Sequence, residues 1–167
     1  ARARAAAAAA QQGHGLRTAL AGPLHSLVHT MDKLHAARSI RFELQGDASQ
    51  WDFKGDVQDL MEMLGNLLDN AGKWARSKVV LKVQPIANDN QLLTLCIDDD
   101  GPGIAPELRE RIFARGERLD EQRPGAGLGL DIVRDLVQTY GGSIQALPSP
   151  LGGLRMQLQR PGARHQD

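Results

Sequence analysis

The chain has 167 residues, 41% of them hydrophobic, which is enough apolar material for one good core. Its 20 basic and 20 acidic residues cancel, which argues against a nucleic-acid or other polyanion binder. The single cysteine, Cys96, leaves no disulfide or CxxC metal framework and suits a reducing compartment, and no apolar run has the length of a membrane span or signal-peptide core.

Residues 1–21 open with Ala1-Arg-Ala-Arg-Ala, strong helix formers without a core-facing stripe, and are expected to be the frayed end of a preceding helix. The sequence starts without Met, which suggests a piece cut from a longer protein. A helix is predicted near 23–37, opening at Gly22-Pro23, with Leu24, Leu27, Val28, Met31 and Leu34 as its apolar stripe. His25 and His29 have the spacing of a zinc pair, but they lie off the stripe without a third ligand and read as a solvated face. His35 and His165 carry no signal.

Ile40, Phe42 and Leu44 alternate as a strand. Near 56–75 the residues Val57, Leu60, Met61, Leu64, Leu68, Ala71 and Ala75 recur at three- and four-residue steps, which predicts a second helix. Asn66, Asn70 and Lys73 stand at i, i+4 and i+7 on the opposite face. Two amide oxygens there can coordinate Mg²⁺, and Lys73 can meet a phosphate. Taken alone, the three are equally readable as the wet side of an amphipathic helix.

Val79, Leu81 and Val83 form a strand, paired through Pro85-Ile-Ala-Asn-Asp-Asn90 with a strand carrying Leu93, Leu95 and Ile97. The latter runs into Asp99-Asp-Gly101-Pro-Gly103-Ile104. A carboxylate just past a strand end can accept from an exocyclic amine, and the glycines let a base lie against bare backbone, which makes Asp99 a candidate adenine reader. The same residues also suit an ordinary turn.

The charged stretch from Ala105 to Pro124 has no sustained strand pattern and reads as a mobile lid, with a short helix near Pro106 to Phe113. Arg123-Pro-Gly125-Ala-Gly127-Leu-Gly129-Leu130 then leads into a helix near 129–140 with Ile132, Val133, Leu136, Val137 and Tyr140 on its stripe. Glycines at a helix N-terminus are receptive to phosphate. The spacing matches neither a Walker motif nor the dinucleotide fingerprint. Ser143 to Leu147 and Leu154 to Leu158 form a closing hairpin around Pro148-Ser-Pro-Leu-Gly-Gly153.

These elements predict an α/β (α+β) two-layer sandwich. Its mixed, largely antiparallel sheet of about five strands is covered on one face by three helices and solvated on the other. The expected boundaries are a helical remnant over 1–21, a domain over 22–160 and a tail over 161–167.

In this order, Asn66 to Trp74, Asp99 to Ile104, Ile112-Phe113-Ala-Arg115-Gly-Glu-Arg118, Gly125 to Leu130 and Gly141-Gly-Ser-Ile resemble the N, G1, F and G2 boxes of the sensor histidine kinase catalytic domain. That domain has the Bergerat-type fold of the superfamily shared with gyrase, Hsp90 and MutL. The resemblance runs from roughly Pro23 to Gln159 and is greatest to PhoQ-type kinases. It implies ATP and Mg²⁺, with Asn70 and Asn66 on the metal and Lys73 on phosphate. It gives Asp99 the adenine amine, and Gly101, Gly103 and Ile104 the adenine pocket. Trp74, where the family usually has Tyr, His or Phe, would lay its ring against the nucleotide. Gly125, Gly127, Leu128, Gly129 and Leu130 fall on the phosphate side, and the lid arginines Arg115, Arg118 and Arg123 are candidates for the γ-phosphate.

The superfamily's ATP-hydrolysing members carry a carboxylate where this chain has Asn66, since a base must take the proton of the attacking water. An amide cannot do that. The resemblance therefore implies a site that protects ATP from water, with Asn66, Lys73, Arg115 and Arg118 as its catalytic set. The γ-phosphoryl group would pass to a histidine on a separate dimerisation domain, for relay to an aspartate of a cognate response regulator. His14-Gly-Leu-Arg-Thr-Ala-Leu20 superficially resembles the acceptor box, but Gly15 and Ala19 replace the acid and the proline. The stretch from His14 to Asn66 also cannot hold a two-helix hairpin along with the helix opening at Pro23 and the first strand, so the acceptor is expected elsewhere. No nucleic-acid or membrane contact is implied for this segment, although the parent protein would sit in a bacterial inner membrane. Two alternatives are a free-standing anti-sigma-factor-type serine kinase and a nucleotide-sensing module that binds ATP without catalysis.

Overall fold

A computed structural model describes residues 17–84, 92–114 and 129–164. Eight strands occur among them: β1 (Thr18–Ala19), β2 (Arg41–Gln45), β3 (Trp51–Phe53), β4 (Lys78–Val83), β5 (Leu92–Asp99), β6 (Ser143–Pro148), β7 (Leu154–Pro161) and β8 (Ala163–Arg164). They alternate with the helices α1 (Ala21–Leu34), α2 (Val57–Trp74) and α3 (Leu130–Thr139). Five strands form the main sheet in the order β2-β4-β5-β7-β6, with β2 parallel to β4 and the other pairs antiparallel.

The pleat sorts the side chains of this sheet. Val79, Leu81, Leu93, Leu95, Ile97, Met156 and Leu158 are buried in one core with Leu24, Leu27, Leu60, Leu64, Leu68, Val133 and Leu136 of the three helices. Each such side chain contributes about 1.5–3 kcal/mol by leaving water. The alternate residues Glu43, Lys82, Thr94, Gln157 and Gln159 remain partly exposed on the other face. The expected two-layer sandwich is therefore the observed one.

Helix α2 starts where Asp56 caps it, accepting from the Gln58 N–H at 2.8 Å. With α1 and α3 packed on its flanks, it is buried over a wider arc than its stripe indicated: Met63, Leu67 and Asn70 join the core side, while Val57 is exposed. Two other stripe residues are corrected. Leu34 ends α1 and is 63% exposed, because the next residue, His35, takes the buried position. Ile132 is exposed because it lies about 100° around the helix from Val133, outside the arc of Val133, Leu136 and Val137.

Residues expected in the leading remnant and in the tail also form structure. β1 and β8 flank β3 in a second, three-stranded antiparallel sheet, and Leu20 is fully buried rather than part of a frayed helix. Strands of two or three residues are too short for a period-2 pattern to register. Beneath this sheet Arg160 is only 3% exposed, with its guanidinium 4.5 Å from the Phe53 ring centroid and 5.3 Å from that of Tyr140. Burial pulls its pKa down to about 10. The Tyr140 hydroxyl donates to buried Asp59 at 2.6 Å, which satisfies both polar groups inside the core.

At the end of β5 three consecutive acids have three different jobs. Asp98 faces outward and accepts two hydrogen bonds from Arg155 of β7, at 2.7 and 2.8 Å. Asp99 points the other way, into the molecule. Asp100 lies past the strand end, where it accepts from the backbone N–H groups of Arg76, Ser77 and Lys78 at 2.8, 3.0 and 3.2 Å and from the Ser77 hydroxyl at 2.5 Å. Asp100 thereby ties the loop after α2 to the end of β5. Burial pushes the Asp100 pKa up, but these donors outweigh it and hold the carboxyl at about 2, below the ordinary 3.8. Asp100→Ala is expected to cost roughly 1–2 kcal/mol near neutral pH. Because the folded-state pKa is the lower one, the charge-dependent part of that difference is present above the ordinary 3.8 and is lost as the pH falls through about 2. Urea unfolding of both proteins across this range checks it.

Candidate functional site

Between α2 and the turn after β5 lies a cavity of about 240 Å³. Helix α2 supplies Leu67, Asn70, Ala71 and Trp74, and the turn supplies Asp99, Gly103 and Ile104. Met156, Leu108 and Ile112 close the apolar sides. The two sequence segments that carried the functional reading therefore meet in space, with Asn70 and Asp99 lining one cavity.

Asp99 is 4% exposed, and its Oδ1 accepts from the N–H groups of Gly101 at 2.9 Å and Leu154 at 3.2 Å. Burial pushes its pKa up, the two backbone donors pull it down, and the neighbouring Asp98 and Asp100 raise it further; the net direction is upward. Among the described residues nothing donates to Oδ2. The arrangement is an oriented carboxylate with remaining acceptor capacity in a mostly apolar cavity, which suits recognition of an amine on a flat ring.

Two glycines hold Asp99 in place. At Gly153 a Cβ would lie 2.0 Å from Asp99 Oδ1, so no side chain fits, and the Gly153 N–H donates to the Asp99 carbonyl at 3.2 Å. Sequence reasoning placed Gly153 only in a hairpin turn, because nothing local signals a tertiary neighbour. At Gly101 a Cβ would lie 2.4 Å from the Trp74 carbonyl oxygen. The reason for Gly101 is thus close packing of two backbones, and it is Gly103, with φ of 74°, that lines the cavity.

Asn66 lies one turn before Asn70, outside the cavity and exposed. Its Nδ2 donates to the Glu62 carbonyl at 2.8 Å, and its Oδ1 is 3.8 Å from the position a Cβ on Gly129 would take. Gly129, with φ of 83°, is the N-cap of α3, so the amide oxygen of Asn66 and the positive end of that helix are neighbours. Lys73 Nζ lies 3.1 Å from Asp69 Oδ2 on the same helix. The Leu130 side chain is fully buried and anchors α3 in the core, with its backbone in the first turn of that helix.

Arg115, Arg118, Arg123, Gly125, Gly127 and Leu128 lie outside the described residues, as do His14, His165 and the second half of the segment read as a lid. The described start of that segment is packed. Residues Pro106–Leu108 and Arg111–Phe113 form 3₁₀ turns, and Ile112 and Phe113 are buried. Arg134 of α3 stacks 5.0 Å over Phe113 and pairs with Glu110 at 2.7 Å. His25 and His29 are exposed, and among the described residues no group of three His, Cys, Asp or Glu gathers to hold a metal. The carbonyls of Asn66 and Asn70 have the hard-oxygen chemistry that Mg²⁺ accepts. Among the described residues no helix is long and apolar enough to cross a membrane.

Residues 55–164 match the family profile described as histidine kinase-, DNA gyrase B-, and HSP90-like ATPase. The chain belongs to this family. Within it, the chain is 53% identical over 106 residues to the sensor protein kinase CarS of Pseudomonas aeruginosa, covering 64% of this chain and 23% of that protein. It is 36% identical over 147 residues to the sensor protein PhoQ of Escherichia coli K12, covering 84% of this chain and 30% of that one. The crystal structure of full-length ShkA in complex with AMPPNP matches with a TM-score of 0.72 and 26% identity, over 92% of this chain and 33% of that chain. The resemblance carried by the four boxes is borne out, and this ATPase-family chain spans 23% of CarS and 30% of PhoQ.

The glycine contacts give opposite expectations for two alanine substitutions. Gly153→Ala should cost roughly 1–3 kcal/mol, because its Cβ meets backbone and carboxylate rather than a movable side-chain tip. Gly65→Ala, in α2 with only Leu27 Cδ2 at 3.8 Å, should stabilise by about 0.5–1 kcal/mol through helix propensity. Urea unfolding of the two variants separates a glycine required by contact from one that is not.

Proposed function

We propose that this chain is the ATP-binding catalytic domain of a two-component sensor histidine kinase. It binds Mg-ATP and transfers the γ-phosphoryl group to a histidine on a dimerisation domain outside this sequence, for relay to a response-regulator aspartate. The observation that carries the reading is the convergence of Asn70 and Asp99 on one cavity. The names of the relatives as sensor kinases, and AMPPNP in the ShkA structure, support it. Membrane anchoring of the parent protein belongs to the same proposal.

The layout orders a nucleotide along α2. The purine lies in the cavity among Leu67, Trp74, Ile104 and Met156, with its amine on Asp99. Four residues of helix rise about 6 Å, so the step from Asn70 to Asn66 carries the site toward Gly129 and the N-terminus of α3, where phosphates are favoured. Asn66 and Asn70 would hold Mg²⁺, which when bound neutralises phosphate charge. Lys73 and the arginines of the lid segment supply further positive charge. Asn66 is an amide and cannot take a proton from water, so catalysis here rests on positioning and electrostatics while the nucleophile comes from the acceptor domain.

Calorimetric titration of the chain with ATP, with and without Mg²⁺, tests the reading. Asp99→Asn is expected to weaken binding about tenfold or more, since a buried amine left without its acceptor costs about 1–3 kcal/mol. The same change should leave the melting temperature unchanged or raised, because burial disfavours the ionised Asp99 that it removes. Affinity should also fall as the pH drops through the raised Asp99 pKa, where the acceptor becomes protonated. Equal affinity of the two proteins for ATP sinks the adenine assignment. Adding the separate helical domain and labelled ATP should yield acid-labile phosphohistidine, whereas phosphoserine would favour the serine-kinase alternative. Asn66→Asp alone should not produce rapid hydrolysis, because the water must also be aligned.

A further inference from the structure

We propose that Asp69, anchored by buried His35, is a positioning residue that holds the Lys73 ammonium on the phosphate side of the site. The inference rests on the nucleotide reading above and deepens it. Lys73 Nζ is 3.1 Å from Asp69 Oδ2, and Asp69 Oδ1 accepts from His35 Nε2 at 2.8 Å. The acid lies four residues before the base, the favourable order on a helix. An ordinary pair of this kind is loosely held, since both ends are solvated. Here one end is fixed.

His35 sits in the connection between α1 and β2, its ring 5.4 Å from Phe42, and it packs over the surface of α2 at Gly72. A Cβ at Gly72 would lie 2.8 Å from His35 Nε2 and 2.8 Å from Phe42 Cζ. A glycine inside a helix is otherwise unfavourable, so α2 makes room for this imidazole at a cost to its own propensity. From the same connection Arg38 donates to the carbonyls of Gly72 and Ala75, at 2.9 and 3.2 Å, fixing the turn that carries Lys73. The side chains of Asp69 and Lys73 are 32% and 31% exposed, open enough for a ligand to reach.

Asp69 shares the helix side of Asn66, Asn70 and Lys73. A carboxylate there would repel a triphosphate unless its charge were committed to the lysine. An ammonium carries three N–H donors and can serve Asp69 and a phosphate oxygen together. Held in this way, Lys73 meets the phosphates without a search through its rotamers, which is preorganisation of a contact specific to the phosphates.

The test compares Mg-ATP and adenosine binding by calorimetry in the full chain and three variants. Asp69→Asn keeps the shape but removes the charge. His35→Phe keeps the ring packing but removes the donor, and His35→Gln restores a donor. The first two are expected to weaken Mg-ATP roughly five- to tenfold, as for one lost charge-assisted contact, with adenosine affinity unchanged and His35→Gln recovering most of the loss. In a Lys73→Met background Asp69→Asn should have no further effect. Equal weakening of both ligands would mean a merely structural role, and tighter ATP binding by Asp69→Asn would mean that Asp69 competes with phosphate; either overturns the inference. A wild-type chain that binds neither ligand overturns the nucleotide reading itself, and is distinct from one that binds both and ignores Asp69.

Discussion

A carboxylate buried at the end of a central strand is the constraint around which the site is built. Asp99 cannot sit inside the protein without donors, and those come from Gly101, in the turn that follows it, and Leu154, at the start of β7. Both donors require bare backbone nearby, which is why Gly101 presses on the Trp74 carbonyl and Gly153 on Asp99 itself. One acid thereby brings the end of α2, the turn after β5 and the closing hairpin to a single point. The cavity is the space those three leave between them.

The neighbours of Asp99 make that point rigid. Asp98 locks β5 to β7 through Arg155, and Asp100 gathers the loop between α2 and β4. The pleat of a strand alternates its residues between faces, so adjacent acids serve opposite sides of the sheet and the third serves the loop beyond it. Their mutual repulsion adds to the upward push on the Asp99 pKa and is tolerated because each of the other two has its own donors.

The main sheet was legible in the sequence because each of its strands is long enough for alternation to show. The order of the functional segments was legible because chemistry-bearing residues recur in compact runs. What sequence could not reach was tertiary in origin. Gly153 and Gly72 look like a turn residue and a helix defect until Asp99 and His35 are placed beside them. His35 carries no local signal, yet it is buried against Asp69. Leu34 and Ile132 have the right spacing but point past the edge of the core, which only the packing of the helices defines. Met63 and Leu67 were left off the stripe of α2 because two flanking helices widen what one face alone would bury.

The small second sheet has a consequence for chain connectivity. β3 lies between β1 and β8, so the first and last described strands run on either side of a single strand, about 10 Å apart at the usual interstrand spacing. The described chain therefore enters and leaves beside the same strand, at its opposite ends, with Thr18 opposite Phe53 and Arg164 opposite Trp51. Both outer strands pair antiparallel with β3 and so run parallel to each other, which means that a link from Arg164 back to Thr18 must return along the strand direction; a circular permutant of this domain needs a crossover linker and not a tight turn.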